Sequence, residues 1–232
     1  RLEKIGISLK NSNITMYRGF LTGYNDAFII DAETKNILMN EDPKNIEILK
    51  PVLRGRDIKR YGYEYANKWL IATFPAKNIK ISDYPSIQKF LASFGKRLEQ
   101  TGETFIDGFG QSLKSRKKTN NKWYETQDAI GYWEEFEKYH IGFKGVGSQI
   151  RFALIEPGIY VTAPACICVA ENNKVLLGFL NSKLCIYYIN KNADRTGTGD
   201  IMLNIQSFEK IPFPKLDIKQ EIIIEMLVNL VM

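Results

Sequence analysis

The chain has 232 residues and a mass of 26.7 kDa, and it is 44% apolar and 25% charged, which excludes a disordered or fibrous protein. Its 32 lysines and arginines exceed its 26 acidic residues, and this net charge of +6 permits nucleic-acid binding without establishing it. The odd number of cysteines, three, indicates a reducing, cytoplasmic compartment, and every apolar stretch is too short to cross a membrane.

The first hundred residues alternate between apolar runs and turn-rich stretches. Apolar residues at every second position indicate a strand, and apolar residues three or four positions apart indicate a helix. On this basis we predict, in chain order, a strand around 5–9, a buried strand over 27–30, a helix opened by Asp42 and Pro43, a strand over 69–74, and a helix from Pro85 to about Gln100.

Residues 101–122 differ in character from the segments before them. They are rich in Gly, Ser, Thr, Asn and Lys, and they show no apolar periodicity after Phe109. Because exposed loops of this length are usually functional or disordered, we predict an exposed, functional loop here.

The second half of the chain again mixes strand and helix patterns. The predicted helices are one that Asp128 caps, a long one over 173–190 that Asn181-Ser182-Lys183 breaks or caps, and one that starts at Ile218. The predicted strands cover 139–143, 150–155, 164–170 and 202–205, and residues 211–214 form an extended segment. The fold class is therefore α+β, with mixed sheets and packed helices. Because the chain starts at Arg1 and ends inside a predicted helix, we expect it to be a piece of a longer protein.

The sequence contains no recognisable catalytic pattern. The single histidine, His140, lacks cysteine and histidine partners at zinc-ligand spacing, and no Gly-x-Ser-x-Gly turn offers a nucleophile. Asp57-Ile58-Lys59 matches half of a metal-dependent nuclease motif, but three-residue matches arise by chance. A nuclease at Asp57 and Lys59 stays an alternative, and we otherwise predict no catalytic site, no metal site and no cofactor in this chain.

Positive charge is concentrated in two segments that also carry aromatic residues. The first runs from Arg54 to Tyr63 and contains four cations, and the second runs from Lys114 to Tyr124 and contains five. Cations neutralise phosphates and give affinity without sequence choice, whereas arginine forks and short polar side chains can reach base edges. The two segments therefore favour contact with nucleic acid.

Several segments of the sequence occur in the same order as similar segments of a known protein family. They are Arg18–Asp31, Leu49–Tyr61 with Arg54-Gly55-Arg56-Asp57-Ile58 inside it, Trp69-Leu70-Ile71, Tyr84–Leu98, Lys122-Trp123-Tyr124-Glu125, Arg151-Phe152-Ala153-Leu154, Leu176–Leu184, and Ile211–Pro214 followed by Lys219–Ile222. This ordered set, which covers about residues 18–222, resembles the C-terminal specificity domain of Type IIG restriction–modification enzymes and related adenine-specific DNA methyltransferases, the Taq-type specificity domain. Its exit segment is also similar to Type I specificity subunits. The chain departs from the family pattern at His140-Ile141-Gly142-Phe143.

The resemblance implies that this chain recognises DNA and that other domains of a parent protein carry out catalysis. Residues 1–215 would be a target recognition domain for double-stranded DNA, and 216–232 the start of a spacer or dimerisation helix. The parent would be an S-adenosylmethionine-dependent DNA adenine methyltransferase, with or without a magnesium-dependent endonuclease, whose catalytic domains precede this chain. No position here matches their catalytic residues, so none is assigned.

Eleven residues are the predicted DNA contacts: Arg54, Arg56, Lys59, Arg60, Lys114, Arg116, Lys117, Lys118, Lys122, Gln149 and Arg151. Gln149 and Arg151 are suited to reading adenine and guanine respectively. The alternative function is a protein-interaction module, in which the apolar helix over 222–232 docks a partner and the basic segments are incidental.

Overall fold

The computed structural model describes residues 6–232, which form strands and helices of similar weight. The strands are β1 Gly6–Ser8, β2 Ile14–Arg18, β3 Ile29–Asp31, β4 Leu49–Leu53, β5 Lys68–Ile71, β6 Thr104–Ile106, β7 Ser112–Lys114, β8 His140–Phe143, β9 Val146–Gly147, β10 Phe152–Ile155, β11 Tyr160–Val161, β12 Cys166–Ala170, β13 Asp194–Arg195, β14 Ile201–Met202 and β15 Pro212–Pro214. The α-helices are α1 Asn25–Phe28, α2 Ala32–Glu41, α3 Pro85–Ala92, α4 Asn173–Leu180, α5 Lys183–Asn192, α6 Ile205–Glu209 and α7 Ile218–Val231. The predicted α+β class is confirmed.

The chain divides into two compact units, and each is built from segments that are distant in sequence. The terminal unit comprises 6–19, 53–66 and 134–232, and the central unit comprises 20–52 and 67–133. The first predicted cationic segment belongs to the terminal unit and the second to the central unit.

An antiparallel sheet in the order β10-β8-β12-β2 forms the centre of the terminal unit. Every residue of β8 and β10 is buried, as expected for strands covered on both faces. Helix α4 packs on this sheet, and its apolar residues join an apolar core in which the rings of Phe143 and Phe208 stack 5.2 Å apart. Two smaller sheets, β1-β15 and β13-β14-β9, complete the unit.

The last helix, α7, packs against α4 at a glycine. A Cβ atom at Gly178 would lie 2.8 Å from Cγ2 of Ile224 and 3.0 Å from Cγ2 of Val228, so only glycine allows this close approach. Asp217 opens α7 with a reciprocal cap, because its carboxylate accepts from the main-chain N of Gln220 and the Gln220 side chain accepts from the main-chain N of Asp217. The helix predicted from Ile218 is therefore observed.

The long helix predicted over 173–190 is interrupted where the sequence indicated. Asn181 ends α4, and Ser182 caps α5 by accepting a hydrogen bond from the main-chain N of Cys185 at 3.1 Å. The side chain of Asn181 is buried and bonds both main-chain groups of Phe152, donating to its carbonyl at 2.9 Å and accepting from its N at 3.3 Å. The junction is thus tied to the first residue of β10, which is an edge strand of the sheet.

The central unit contains a three-stranded antiparallel arrangement, β4-β5-β3, over an aromatic core. The rings of Phe20 and Phe74 lie 5.8 Å apart and are fully buried. The predicted exposed loop over 101–122 is partly ordered, because β6 and β7 form an antiparallel hairpin in which Thr104 faces Lys114. Phe105 and Leu113 share one face of this hairpin and are half-buried, which supplies the packing that the sequence pattern did not show.

Five predicted elements take a different form. The helix opened by Asp42 and Pro43 is only a 3-10 turn over Pro43–Glu47, and strand β4 follows it. The strand predicted over 202–205 ends at Met202, because α6 begins at Ile205. The strand over 27–30 begins instead as the single turn α1, because a short apolar run does not distinguish a buried strand from a buried turn. The helix that Asp128 was expected to cap is a 3-10 turn over Trp133–Glu137, and Ile130 before it has a left-handed φ of 50°. The helix from Pro85 ends at Ala92, and a 3-10 turn over Gly95–Leu98 follows, in which Gly95 has a φ of 55°.

Two helices were not predicted at all, and each is opened by a polar cap. Asp31 accepts from the main-chain N of Thr34 at the start of α2, and Asn204 accepts from that of Ser207 at the start of α6. Each helix contributes one buried residue, so neither produces an apolar period. The predicted strand over 5–9 is observed as β1, and Ile5 lies outside the described residues.

Candidate nucleic-acid interface

Side chains from four separate segments of the terminal unit line one depression of about 490 Å³. Its polar lining includes Arg60, Gln149, Arg151, Lys183 and Asn190, all of them exposed. Its apolar lining comes from buried or half-buried isoleucines, namely Ile150, Ile186, Ile189 and Ile201. We call this depression the cationic cup. Among the described residues that line it, three are cations and none is acidic.

Arg60 is held at the cup by contacts on both sides of its guanidinium group. Its Nη2 atom donates to the main-chain carbonyl of Asn181 at 3.0 Å, and the group lies 5.1 Å from the ring centroid of Tyr61. Tyr61 itself has a left-handed φ of 71°, and its main-chain N donates to the carbonyl of Phe152 at 2.8 Å. The segment that carries Arg60 is therefore docked on β10.

Gln149 and Arg151 stand beside each other just before β10. Nη2 of Arg151 donates to Oε1 of Gln149 at 2.9 Å, which leaves the amide NH₂ of Gln149 free to turn away from the arginine. Because Asn181 fixes Phe152, the next residue, the segment before β10 starts from a rigid point. The guanidinium group of an arginine can pair with the edge of a guanine base, and the amide of a glutamine can pair with the edge of an adenine base.

Lys183 completes the cationic lining and comes from the first turn of α5. The prediction treated Asn181-Ser182-Lys183 as structural, which the structure supports for Asn181 and Ser182 through their hydrogen bonds. Lys183 is exposed and lines the cup together with Asn190 of the same helix. The sequence carried no signal for this, because only the tertiary fold brings α5 beside Arg60 and Arg151.

The turn that precedes Arg60 is stabilised by a partly buried ion pair, in which Asp57 is buried and Arg54 half-buried. Nε and Nη2 of Arg54 donate to the two carboxylate oxygens of Asp57 at 2.9 and 2.8 Å, and the main-chain N of Arg54 donates to the same carboxylate at 2.8 Å. Burial raises the pKa of Asp57, but the hydrogen bonds from Arg54 outweigh it and the pKa is lowered overall. The fork of Arg54 is thus engaged within the fold, which makes it a positioning group for the neighbouring cations.

The other two cations of this segment face solvent to different degrees. Arg56 is exposed, and Lys59 is half-buried with its Nζ atom 3.1 Å from Oε2 of the exposed Glu64. An exposed ion pair of this kind contributes little to stability, so Lys59 can exchange its partner for a phosphate. In this arrangement Asp57 is bound to Arg54 and not to a set of acidic neighbours that would hold a nuclease metal.

Arg116 corrects the prediction for the second cationic segment. The side chain was expected to contact DNA, but it is buried at 4% exposure, and its nitrogens donate to the main-chain carbonyls of Leu98, Thr22, Glu125 and Trp123 at 2.6–3.0 Å. Burial lowers its pKa to about 10, so the group stays charged at neutral pH. Arg116 therefore holds the base of the segment together and does not reach a ligand.

Four lysines of the same segment are exposed: Lys114, Lys117, Lys118 and Lys122. The loop that carries them is fixed by the buried Gln100, whose amide donates to the carbonyls of Lys122 and Glu125 at 3.1 Å and accepts from the hydroxyl of Thr119 at 2.7 Å. The Nζ atom of Lys122 also lies 3.6 Å from Oε1 of Glu125. The segment thus presents cations from an ordered support instead of a mobile loop.

His140, where the chain departs from the family pattern, is a structural residue. It is fully buried, its Nδ1 atom lies 2.8 Å from the carbonyl oxygen of Lys138, and its ring packs edge-on against Phe136. Burial lowers its pKa to about 4, so it is neutral at pH 7. Across residues 6–232, no three His, Cys, Asp or Glu side chains cluster as metal ligands would, and no helix has the length and apolar character needed to cross a membrane.

A family model described as the TaqI-like C-terminal specificity domain matches residues 50–213, and the chain belongs to that family. The resemblance noted in the sequence is confirmed.

Two solved structures show the same fold over nearly the whole chain. One is the type IIG restriction endonuclease BpuSI, with a TM-score of 0.58, 15% identity, and 98% of this chain matched to 26% of that one. The other is the type IIL restriction–modification enzyme MmeI, solved in complex with DNA, with a TM-score of 0.59, 11% identity, and 97% of this chain matched to 28% of that one. The chain thus spans about a quarter of the length of either enzyme. A search of the curated proteins found no match.

Proposed function

We propose that this chain reads a short sequence of double-stranded DNA and selects it for catalytic domains of the same parent protein. The observation that carries the proposal is the convergence of Arg60, Gln149, Arg151 and Lys183 on the cationic cup. Three cations, on a lining whose described residues include no acid, attract phosphates, and the arginine and amide side chains have the donors that base edges require. Membership of a specificity-domain family supports the same function.

The proposal assigns different tasks to the two kinds of residue. The half-buried Lys59 and the exposed cations Arg56, Lys114, Lys117, Lys118 and Lys122 contact phosphates and supply affinity for any duplex. Gln149 and Arg151 read base edges and supply sequence choice. Arg60 and Lys183, on the lining of the cup, contact the backbone beside the bases that are read.

The parent protein is part of the same proposal. We expect an adenine-specific DNA methyltransferase that uses S-adenosylmethionine, with or without a magnesium-dependent endonuclease, in a cytoplasmic setting. Its catalytic domains would precede residues 1–215, and 216–232 would start a spacer helix. Similarity to an endonuclease of type IIG and to an enzyme of type IIL, each matched over about a quarter of its length, supports this architecture.

A second function, docking of a protein partner, is favoured by one feature of α7. Several large apolar residues of this helix are exposed: Ile222, Ile223, Met226, Leu227 and Leu230. A surface of this kind marks an interaction site on many proteins. Sedimentation of the wild type against a variant with Ile223→Glu and Leu227→Glu measures whether the surface mediates self-association.

Selection from a pool of duplexes with a randomised centre tests the proposed function. The chain is incubated with the pool at moderate ionic strength, and bound duplexes are amplified and sequenced over successive rounds. We expect enrichment of one short sequence. In a variant with Gln149→Ala and Arg151→Ala, we expect the base preference to be lost at one or two adjacent positions of that sequence and to persist at the others. The control variant, Lys215→Ala, changes an exposed cation outside the cup and should enrich the same sequence. Failure of the wild type to retain or enrich any duplex would contradict the proposal.

A further inference from the structure

The turn of the hairpin β6–β7 carries an aromatic side chain that is exposed to solvent. Phe109 lies at the tip, and its exposed fraction of 97% is the largest of any large apolar residue in the described part of the chain. The neighbouring strand residue Ile106 is 66% exposed, so the tip presents an apolar surface. Single exposed apolar residues are common on proteins. Phe109 differs from them because the turn that carries it is held by hydrogen bonds.

The turn that carries Phe109 is organised by one carboxylate. Oδ1 of Asp107 accepts hydrogen bonds from the main-chain N of Phe109 at 2.9 Å and from that of Gln111 at 2.8 Å. Two further main-chain bonds close the turn, from Asp107 N to the carbonyl of Gln111 at 3.0 Å and from Gly110 N to the carbonyl of Asp107 at 3.1 Å. The backbone of the tip is therefore preorganised, although its side chain packs on nothing.

The tip is also narrow. Phe109 stands between Gly108 and Gly110, and an added Cβ at either glycine would meet no atom within 4 Å. Gly110 has a φ of 79°, which favours glycine and turns the chain sharply. With no side chain on either neighbour, the ring of Phe109 can enter a slot only slightly wider than the ring itself.

Cations lie at the other end of the same hairpin. Lys114 is exposed at the end of β7, and the exposed Lys117 and Lys118 follow the anchor residue Arg116. Lysines at the base neutralise phosphates. The tip presents Phe109 and carries no cation, and its one carboxylate, that of Asp107, is engaged by two main-chain N–H groups. This combination of apolar tip and cationic base matches a duplex, whose charged backbone encloses stacked apolar bases, better than it matches a protein surface.

We propose that Phe109 is a wedge that inserts between two adjacent base pairs of the bound duplex, partly unstacking that step. The proposal rests on the proposed function, since it needs the chain to bind duplex DNA. Apolar wedges of this kind read the deformability of a base step instead of its hydrogen-bonding groups, so Phe109 adds selectivity for flexible steps to the base reading at the cup.

Binding to duplexes that contain 2-aminopurine tests the wedge. The full chain is titrated against the enriched duplex in a series in which the fluorescent base replaces each adenine in turn, and affinity is followed by fluorescence anisotropy. For the wild type we expect the emission to rise at one step, because unstacking relieves quenching. Phe109→Ala should abolish the rise and weaken binding by roughly 5- to 150-fold, the range of base–aromatic stacking, without changing the salt dependence of binding. Phe109→Trp should restore both signals.

Controls separate the wedge from the underlying function. Tyr139→Ala removes another exposed aromatic side chain, 54% exposed and outside the hairpin, and should leave affinity and emission as in the wild type. If the wild type binds and Phe109→Ala binds equally well with an unchanged emission series, the wedge is overturned and the proposed function stands. If the wild type binds no duplex at all, the proposed function falls and the wedge falls with it.

Discussion

The Nη2 atom of Arg60 donates a hydrogen bond to the main-chain carbonyl of Asn181 at 3.0 Å, across 121 positions of sequence. The side chain of Asn181 in turn bonds both main-chain groups of Phe152. One buried asparagine thus connects the cationic turn, the junction of α4 and α5, and the strand that follows Gln149 and Arg151. The lining of the cationic cup is fixed by a shared support.

Replacement of Asn181 by Ala removes this support. We expect the free energy of unfolding to fall by about 1–3 kcal/mol, because the main-chain N and carbonyl of Phe152 each lose a buried hydrogen bond. We also expect DNA affinity to fall by more than loss of stability explains, since the cup residues lose their alignment. Urea unfolding and anisotropy measure the two effects. Asn192→Ala, which changes an exposed asparagine of α5, should alter neither property, and an equal effect from both variants would refute this role of Asn181.

Arg116 and its exposed neighbours should respond differently to substitution. Arg116→Met leaves the carbonyls of Leu98, Thr22 and Trp123 without their donor in a buried site, so we expect a loss of about 2–5 kcal/mol in the free energy of unfolding. Lys117→Met, one position away and exposed, should change it by less than about 0.5 kcal/mol. Comparable stabilities for the two variants in urea unfolding would show that Arg116 is not the anchor of this segment.

The exposed lysines of the same segment should contribute to affinity without sequence choice. Lys117→Ala and Lys118→Ala should each reduce the slope of log Kobs against log salt by about one, and weaken binding to the enriched duplex and to unrelated duplexes alike. Anisotropy at four or more salt concentrations measures the slope. Lys89→Ala, an exposed lysine on α3, serves as the control. A slope that stays at the wild-type value in both lysine variants would show that these side chains do not contact phosphates.

The sequence predicted the fold class, the family and most strands, but it could not tell which cation of a run points inward. Lys114 through Lys118 form one basic run, yet Arg116 is buried and the lysines of the run are exposed, because the carbonyls that hold Arg116 come from residues distant in sequence. The break at Asn181-Ser182 was predicted correctly, since polar residues inside an apolar helical pattern are a local signal. Lys183 was missed as a lining residue of the cup, because its proximity to Arg60 depends on tertiary packing alone. Helix α2 was missed because it buries only Leu38.

His140 should make the stability of the chain depend on pH. Burial lowers its pKa to about 4 in the folded state, below the ordinary histidine value of 6.5, so the unfolded state binds the extra proton between these values. Stability from this group is therefore fully present above pH 6.5 and is lost as the pH falls toward 4, by up to about 3 kcal/mol. The nearby carboxylates of Glu135 and Glu156 favour the protonated ring and reduce the effect.

The pH dependence is measured as a difference between two proteins. The free energy of unfolding is determined in urea from pH 4 to 8 for the wild type and for His140→Phe. Because other groups titrate in both proteins, the difference isolates the histidine, and we expect the wild type to lose more stability than the variant between pH 6.5 and 4. Parallel curves for the two proteins would mean that the ring is not held neutral by burial.

The most direct test of the account is the effect of Gln149→Ala and Arg151→Ala on base discrimination. Affinities of the wild type and of the double variant are measured by anisotropy for the enriched duplex and for every single-base substitution of it. We predict that the variant loses about 1–3 kcal/mol of discrimination at one or two adjacent positions, keeps discrimination elsewhere, and still binds unrelated duplexes as the wild type does. A variant that discriminates at every position as well as the wild type would contradict the claim that the cationic cup reads DNA.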